Sequence, residues 1–168
     1  QPRDRGTMPA GHAQPFEAAA ELLGPDGLVL DEAARADGSA DVYAAGATCA
    51  AILRPADRHA LAAAVKLLAD TGYALIPRGG GLTYTGGYTP PHERSVIVDT
   101  SRLDRIVELS AEDMLITVEA GVTWKRIHET LAPLGLRLPF FGTFSGARAT
   151  VGGGLSNGAL FHGTGRYG

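Results

Sequence analysis

Residues 77–87, Pro-Arg-Gly-Gly-Gly-Leu-Thr-Tyr-Thr-Gly-Gly, gather the ingredients of an anion seat. Glycine takes positive φ freely and puts no side chain between backbone and ligand. Gly79, Gly80 and Gly81, followed by Gly86 and Gly87, can turn several backbone N–H groups toward one point, and such a concavity favours phosphate. Arg78 adds a cation, and Thr83 and Thr85 add hydroxyl donors. A Cβ on any of the three consecutive glycines is expected to intrude on the ligand. Two familiar phosphate motifs do not fit. A dinucleotide fingerprint counted from Gly79 needs its third glycine where Tyr84 stands, and the chain then runs to Pro90-Pro91 instead of a helix. A P-loop needs Gly-Lys followed by Ser or Thr, which is missing here.

A second cluster has the same composition. Gly142 and Thr143 sit in an aromatic loop, Phe140 to Gly146. Thr150-Val151-Gly152-Gly153-Gly154-Leu155-Ser156-Asn157-Gly158 follows, and Gly163, Gly165 and Tyr167 pace the tail. Thr150 is placed to cap a short helix whose free N–H groups would favour an anion, with Asn157-Gly158 ending it.

Composition narrows the partners. The 168 residues carry a net charge of -3 with no basic tract, which argues against nucleic acid. Hydrophobic residues at 45% and charged residues at 20% describe a globular chain. The longest run near the front without charge or proline, Val42 to Leu53, is too short for a membrane span. Gln1 to Gln14 is polar and lacks an apolar signal core. Cys49 is the single cysteine, so no internal disulfide or cysteine-based metal cluster forms. A reducing, cytoplasmic setting is expected, with a small-molecule substrate as partner and no metal.

Several elements must position the two clusters. Residues 1–14 are expected to be a disordered lead, then Phe16 to Leu23 a helix with Pro15 at its start and Gly24-Pro25 at its end. Asp31 to Asp41 is a short helix and loop. Ala50 to Leu53 is a strand stopped by Pro55. Asp57 caps a helix to Thr71 with Leu61, Ala64, Val65 and Leu68 on one face and Gly72 after it. Ala74 to Pro77 is the strand that delivers the glycine loop, so a β-α-β unit, with its parallel pair, precedes the loop. Val96 to Val98 ending at Asp99, Ile106 to Leu109, and Met114 to Glu119 are further strands, the last broken by Gly121. Thr123 caps a helix with Trp124, Ile127, Leu131 and Leu134 on one face, closed by Gly135. The organisation is thus an N-terminal extension with short helices over 1–49 and a domain over 50–168.

Taken in order, Pro55, Arg78-Gly79-Gly80-Gly81, the strand ending at Asp99, Val118-Glu119-Ala120-Gly121-Val122, Thr150-Val151-Gly152-Gly153 and Arg166-Tyr167-Gly168 resemble the PCMH-type FAD-binding domain of the vanillyl-alcohol oxidase / p-cresol methylhydroxylase flavoproteins. The resemblance implies an α+β, mixed α/β fold of two α/β subdomains with FAD between them. It implies that Pro77 to Thr83, Leu82 included, with Gly86 and Gly87 hold the pyrophosphate. Gly142, Thr143, Thr150, Val151, Gly152, Gly153, Ser156, Asn157 and Gly158 would lie along the flavin and ribityl chain, with Gly163 and Tyr167 closing the site. The reaction implied is hydride transfer from a hydroxy-acid or alcohol C–H to flavin N5. The chain looks most similar to D-2-hydroxy-acid dehydrogenases of the glycolate oxidase subunit type. His162-Gly163-Thr164-Gly165 also resembles aldonolactone and alditol oxidases, although it stands a couple of residues further from Gly152-Gly153. A non-catalytic nucleotide-binding module is the alternative outside enzymes.

Family members continue beyond the point matching Gly168. The expectation is therefore an incomplete FAD domain, inactive as an isolated segment, whose remainder and substrate domain come from a C-terminal continuation or a partner chain. Many relatives link the flavin to a histidine beside the loop glycines, where Leu82 stands here, or to a cysteine before the Thr-Val-Gly turn, where Arg148 stands. Cys49, His59, His92 and His128 fall elsewhere, and His162 is the nucleophile to watch. FAD is expected to be held without a covalent bond.

Overall fold

The computed structural model describes residues 13–139, 145–160 and 163–167. Most of the expected lead, together with Gly142, Thr143 and His162, lies outside the described residues. The fold is the mixed α/β arrangement expected, in two layers with separate cores.

The first layer is a four-stranded sheet in the order β1-β2-β4-β3, built from β1 (Leu28–Val29), β2 (Ala51–Leu53), β3 (Ala74–Arg78) and β4 (Ser95–Asp99). Strand β2 and strand β3 are parallel, as a β-α-β unit requires, but they do not touch. Strand β4 lies between them and pairs parallel with both. It is buried along its whole length, as a strand covered on both faces must be. Val96 and Val98 face a core shared with Phe16, Ala19 and Leu23 of α1 (Ala13–Leu23) and with Ala64 and Leu68 of α3 (Arg58–Asp70). Ile97 turns to the other face, against Ile52, Cys49 and Val29. This alternation follows from the two-residue period of a strand.

Local signals explain the element ends. Asp57 accepts from the N–H groups of His59 and Ala60 and starts α3. Gly72 ends it at φ +80, a conformation that glycine takes without strain. Asp31 caps α2 (Glu32–Gly38) in the same way, accepting from Ala34 N–H. Helix α1 begins at Ala13, before Pro15, so the proline stands in the first turn. The extension is not separate from the sheet: β1 pairs antiparallel with β2, and α1 packs on α3.

The second layer is the hairpin of β5 (Ile106–Ser110) and β6 (Leu115–Val118) with α4 (Trp124–Leu131). Thr123 caps α4 through Arg126 N–H. Trp124, Ile127 and Leu131 are buried against Leu109, Ile116 and Val118. Leu134, expected on that same face, is 53% exposed. The chain tightens into a 3-10 turn at Ala132–Leu134 with Pro133 inside it, and this rotates Leu134 off the apolar stripe before Gly135 closes at φ +68. Arg105 pins the two ends of the hairpin: its Nε and Nη2 both donate to Glu119 Oε1 and its backbone N–H to Oε2, which holds Glu119 below the ordinary carboxylate range.

Candidate functional site

The glycine loop leaves the C-terminal end of β3, where the β3–β4 pair stops at Arg78 and Asp99. Thr100 clamps that exit, since its N–H and hydroxyl both donate to the Arg78 carbonyl, at 3.0 and 3.3 Å. Asp99 is buried, paired with Arg54 at 3.3 Å, and accepts from Ser101 N–H. Beyond the exit, the backbone accounting changes. Among the described residues, no backbone N–H from Gly79 through Tyr84 donates to a protein group, and neither does that of Gly87. Folded chains pair almost all such groups. Gly79 to Thr83 are half-buried while Tyr84 and Gly87 are exposed, and such a run of unclaimed donors is what an anion with several oxygens needs.

Arg78 lies beneath this loop. Its guanidinium stacks on the buried Tyr88 ring at 5.2 Å, and its Nη2 would stand 2.5 Å from a Cβ on Gly81, whose φ is +66. Its Nε is buried with no hydrogen-bond partner among the described residues. The expected cation is therefore present, packed against Gly81 and Tyr88. Pro77 precedes it on the edge strand β3, where a missing N–H is tolerated. Leu82 and Thr83 are half-buried, and the Thr83 and Thr85 hydroxyls bond each other at 2.9 Å.

The structure changes the reason for the glycines. A Cβ at Gly79 would meet Thr150 Oγ1 at 2.4 Å, and one at Gly80 would meet the Arg148 carbonyl at 2.0 Å. A side chain at either position would strike the segment leading into α5 (Val151–Ser156). Arg148 also donates to the Gly80 carbonyl at 3.3 Å. These glycines let the loop lie on the segment leading to Thr150. Around that joint is a cleft of about 400 Å³, lined among others by Arg78, Asp99, Asp104, Arg126 and Arg148.

At the start of α5 the second cluster does not offer the free N–H groups expected of it. Thr150 does cap that helix. Its leading N–H groups are already spent: Val151 donates to Val122, Gly152 to Ala120, and Gly153 to Thr150 Oγ1. Gly152 and Gly154 serve close packing, since a Cβ there would meet Ala120 at 2.8 Å and the Trp124 ring at 3.0 Å. Asn157 and Gly158 close α5 by donating back to Gly153 and Leu155, and Ser156 is exposed. Gly163, at φ +98, precedes the turn of α6 (Thr164–Tyr167) that contains Tyr167. Gly86 is also engaged: its N–H donates to the Asp41 carboxylate at 2.8 Å. Sequence reading missed Asp41, and no local signal connects it with a residue so distant in the chain.

Comparison with known proteins bears on this geometry. The model of a family described as FAD binding domain matches residues 49–168. Among curated proteins, the chain is 29% identical over 119 residues to a mitochondrial D-lactate dehydrogenase [cytochrome] of Kluyveromyces lactis, covering 70% of this chain and 20% of that one. It is 33% identical over 123 residues to the D-2-hydroxyglutarate dehydrogenase of Escherichia coli, covering 70% and 12%. It is 27% identical over 149 residues to a 1'-carboxy-chondrochloren decarboxylase of Chondromyces crocatus, covering 86% and 28%. The chain thus spans well under a third of the length of these relatives. Among solved structures, an alkyldihydroxyacetonephosphate synthase superposes with TM-score 0.84 at 20% identity, over 95% of this chain and 31% of that one. A substrate-bound p-cresol methylhydroxylase superposes with TM-score 0.68 at 17% identity, over 86% and 28%. Among the described residues, no helix is long and apolar enough to cross a membrane.

Proposed function

Because the chain belongs to the FAD binding domain family through residues 49–168, we propose that it grips the cofactor of a flavin-dependent oxidoreductase acting on a small hydroxy acid or alcohol, with the FAD pyrophosphate seated on the amides of Gly79 to Tyr84 and Gly87. The observation that carries this reading is the run of N–H groups that have no protein partner among the described residues. A doubly negative group fits that run, and the Arg78 charge beneath it adds a favourable field. The two dehydrogenases among the relatives support the hydroxy-acid substrate.

When bound, FAD supplies the acceptor for a hydride leaving a substrate C–H. The residues of this chain do the holding. Thr100 and Asp99 fix the loop's exit, Arg78 and Tyr88 support it from below, and the Arg148–Thr150 segment closes against Gly79 and Gly80. Retention rests on hydrogen bonds to a charged group, about 1.5–3 kcal/mol each, because Leu82 and Arg148 offer no nucleophile where relatives form a link. Acid precipitation is accordingly expected to leave the yellow colour in the supernatant. A flavin-bearing peptide from residues 1–168 would sink the non-covalent reading.

Gly87→Val tests the loop assignment cleanly. Among the described residues, a Cβ there finds only Thr85 Oγ1 at 3.7 Å and Thr83 Cγ2 at 4.0 Å, which leaves room for it. The expected result is FAD binding weakened at least about tenfold, roughly 1.4 kcal/mol, with an unchanged melting temperature of the apoprotein. Wild-type affinity in this variant would mean that the pyrophosphate sits elsewhere.

A further inference from the structure

The glycine loop supplies almost none of its own support. Among the described residues, its internal hydrogen bonds are the Thr83–Thr85 hydroxyl contact, a long Thr85 N–H contact to Thr83 Oγ1, and the turn in which Thr89 donates to the Gly86 carbonyl. What holds its outer end comes from residues 41–47, which precede the stretch that the family model matches. Asp41 closes its own turn by accepting from Tyr43 N–H at 2.8 Å and Ala44 N–H at 2.7 Å through Oδ1. Its second oxygen accepts from Gly86 N–H at 2.8 Å. One carboxylate thus bridges two loops. Beside it, the exposed rings of Tyr43 and Tyr84 meet edge to face at 6.1 Å. At the far end, Ala47 N–H donates to the Pro90 carbonyl at 2.9 Å, and Gly46 lies so close that a Cβ would stand 2.5 Å from that oxygen.

We propose that Asp41 is a positioning residue of the cofactor site: by holding the Gly86 amide it fixes the outer half of the glycine loop in its binding shape and so raises the affinity for FAD. This rests on the reading of that loop as the pyrophosphate seat. The physical reason is pre-organisation. A glycine-rich segment loses much conformational freedom when it is fixed, and a loop already held in shape loses less on binding. Asp41 can serve so near an anion site because its oxygens are turned onto backbone donors, and these three N–H groups keep its carboxyl below the usual range and ionised.

The test titrates FAD into the apo form of the full protein. Asp41→Ala is expected to bind FAD about tenfold more weakly and release it faster, for want of pre-organisation. Asp41→Asn has one acceptor oxygen where Asp41 uses two: with that oxygen kept in the turn to Tyr43 and Ala44, the amide NH2 faces Gly86 N–H, so affinity is expected to stay as low as in Asp41→Ala although the turn survives. The melting temperature of the apoprotein, read in parallel, is expected to stay near wild type, since Asp41 is on the surface. Three outcomes overturn the proposal. Wild-type affinity in Asp41→Ala while Gly87→Val loses flavin refutes the tether alone. Tighter binding in Asp41→Ala makes the carboxylate a competitor for the amide. Wild-type affinity in both Asp41→Ala and Gly87→Val removes the loop assignment along with the tether.

Discussion

Gly80→Val will give a folded protein without flavin. The added Cβ would lie 2.0 Å from the Arg148 carbonyl oxygen, 2.8 Å from its carbon and 3.3 Å from Ala149 Cα. These are backbone atoms and cannot swing aside as a side-chain tip does. The loop must therefore lift off the second layer, losing the Arg148 contact to the Gly80 carbonyl and redirecting the neighbouring amides. Gly80 belongs to no helix or strand, and the β3–β4 ladder ends before it, so the far-UV circular dichroism should remain near wild type. FAD affinity is expected to fall at least about a hundredfold, close to 2.7 kcal/mol. Visible absorbance per protein after purification is the measurement. Full flavin occupancy in this variant would show that the loop's seat on the Arg148–Thr150 segment has no part in binding.

The second large effect is on stability. Gly121 marks the crossing between the layers, where its N–H donates to the Leu103 carbonyl at 2.8 Å. A Cβ there would stand 2.0 Å from the Thr100 carbonyl oxygen and 2.8 Å from that of Leu103. Thr100 is the residue that clamps the exit of β3, so relief of this clash must disturb either the clamp or the start of the second layer. Gly121→Val is expected to cost about 3 kcal/mol or more, a large share of the usual 5–15 kcal/mol of a domain. Urea unfolding would show it as a lowered midpoint. A midpoint equal to wild type would mean that the two layers can separate at this crossing without cost.

What was legible in the sequence was whatever rests on neighbours in the chain. Asp57 and Gly72 announce α3, because a cap and a left-handed terminus act within one helical turn. The apolar run to Asp99 announces β4, and the glycines announce the loop. Strand order was not legible: periodicity says that β2 and β3 are strands but not that β4 comes between them. Strand β1, only Leu28–Val29, is too short to show a period at all. The α5 amides look free in the sequence, since their acceptors on Ala120 and Val122 come from a distant segment. The same distance hid Asp41. Long-range hydrogen bonds between turns depend on where the layers bring the chain, and residue spacing does not encode that.

The position of β4 also dictates the order in which the molecule can be built. Chain emerging from a ribosome presents β2, α3 and β3 well before Asp99 appears, yet β2 and β3 each find their parallel partner only in β4. Until then, α1 and α3 can pair, but the apolar strands have just the short β1 to join. Without β4, strands β2 and β3 each keep an unpaired edge, the kind of surface that invites aggregation. Placing β4 between them completes the sheet and brings Thr100 onto the Arg78 carbonyl. The exit of the loop is thus clamped only where β4 is in place, because Thr100 directly follows that strand.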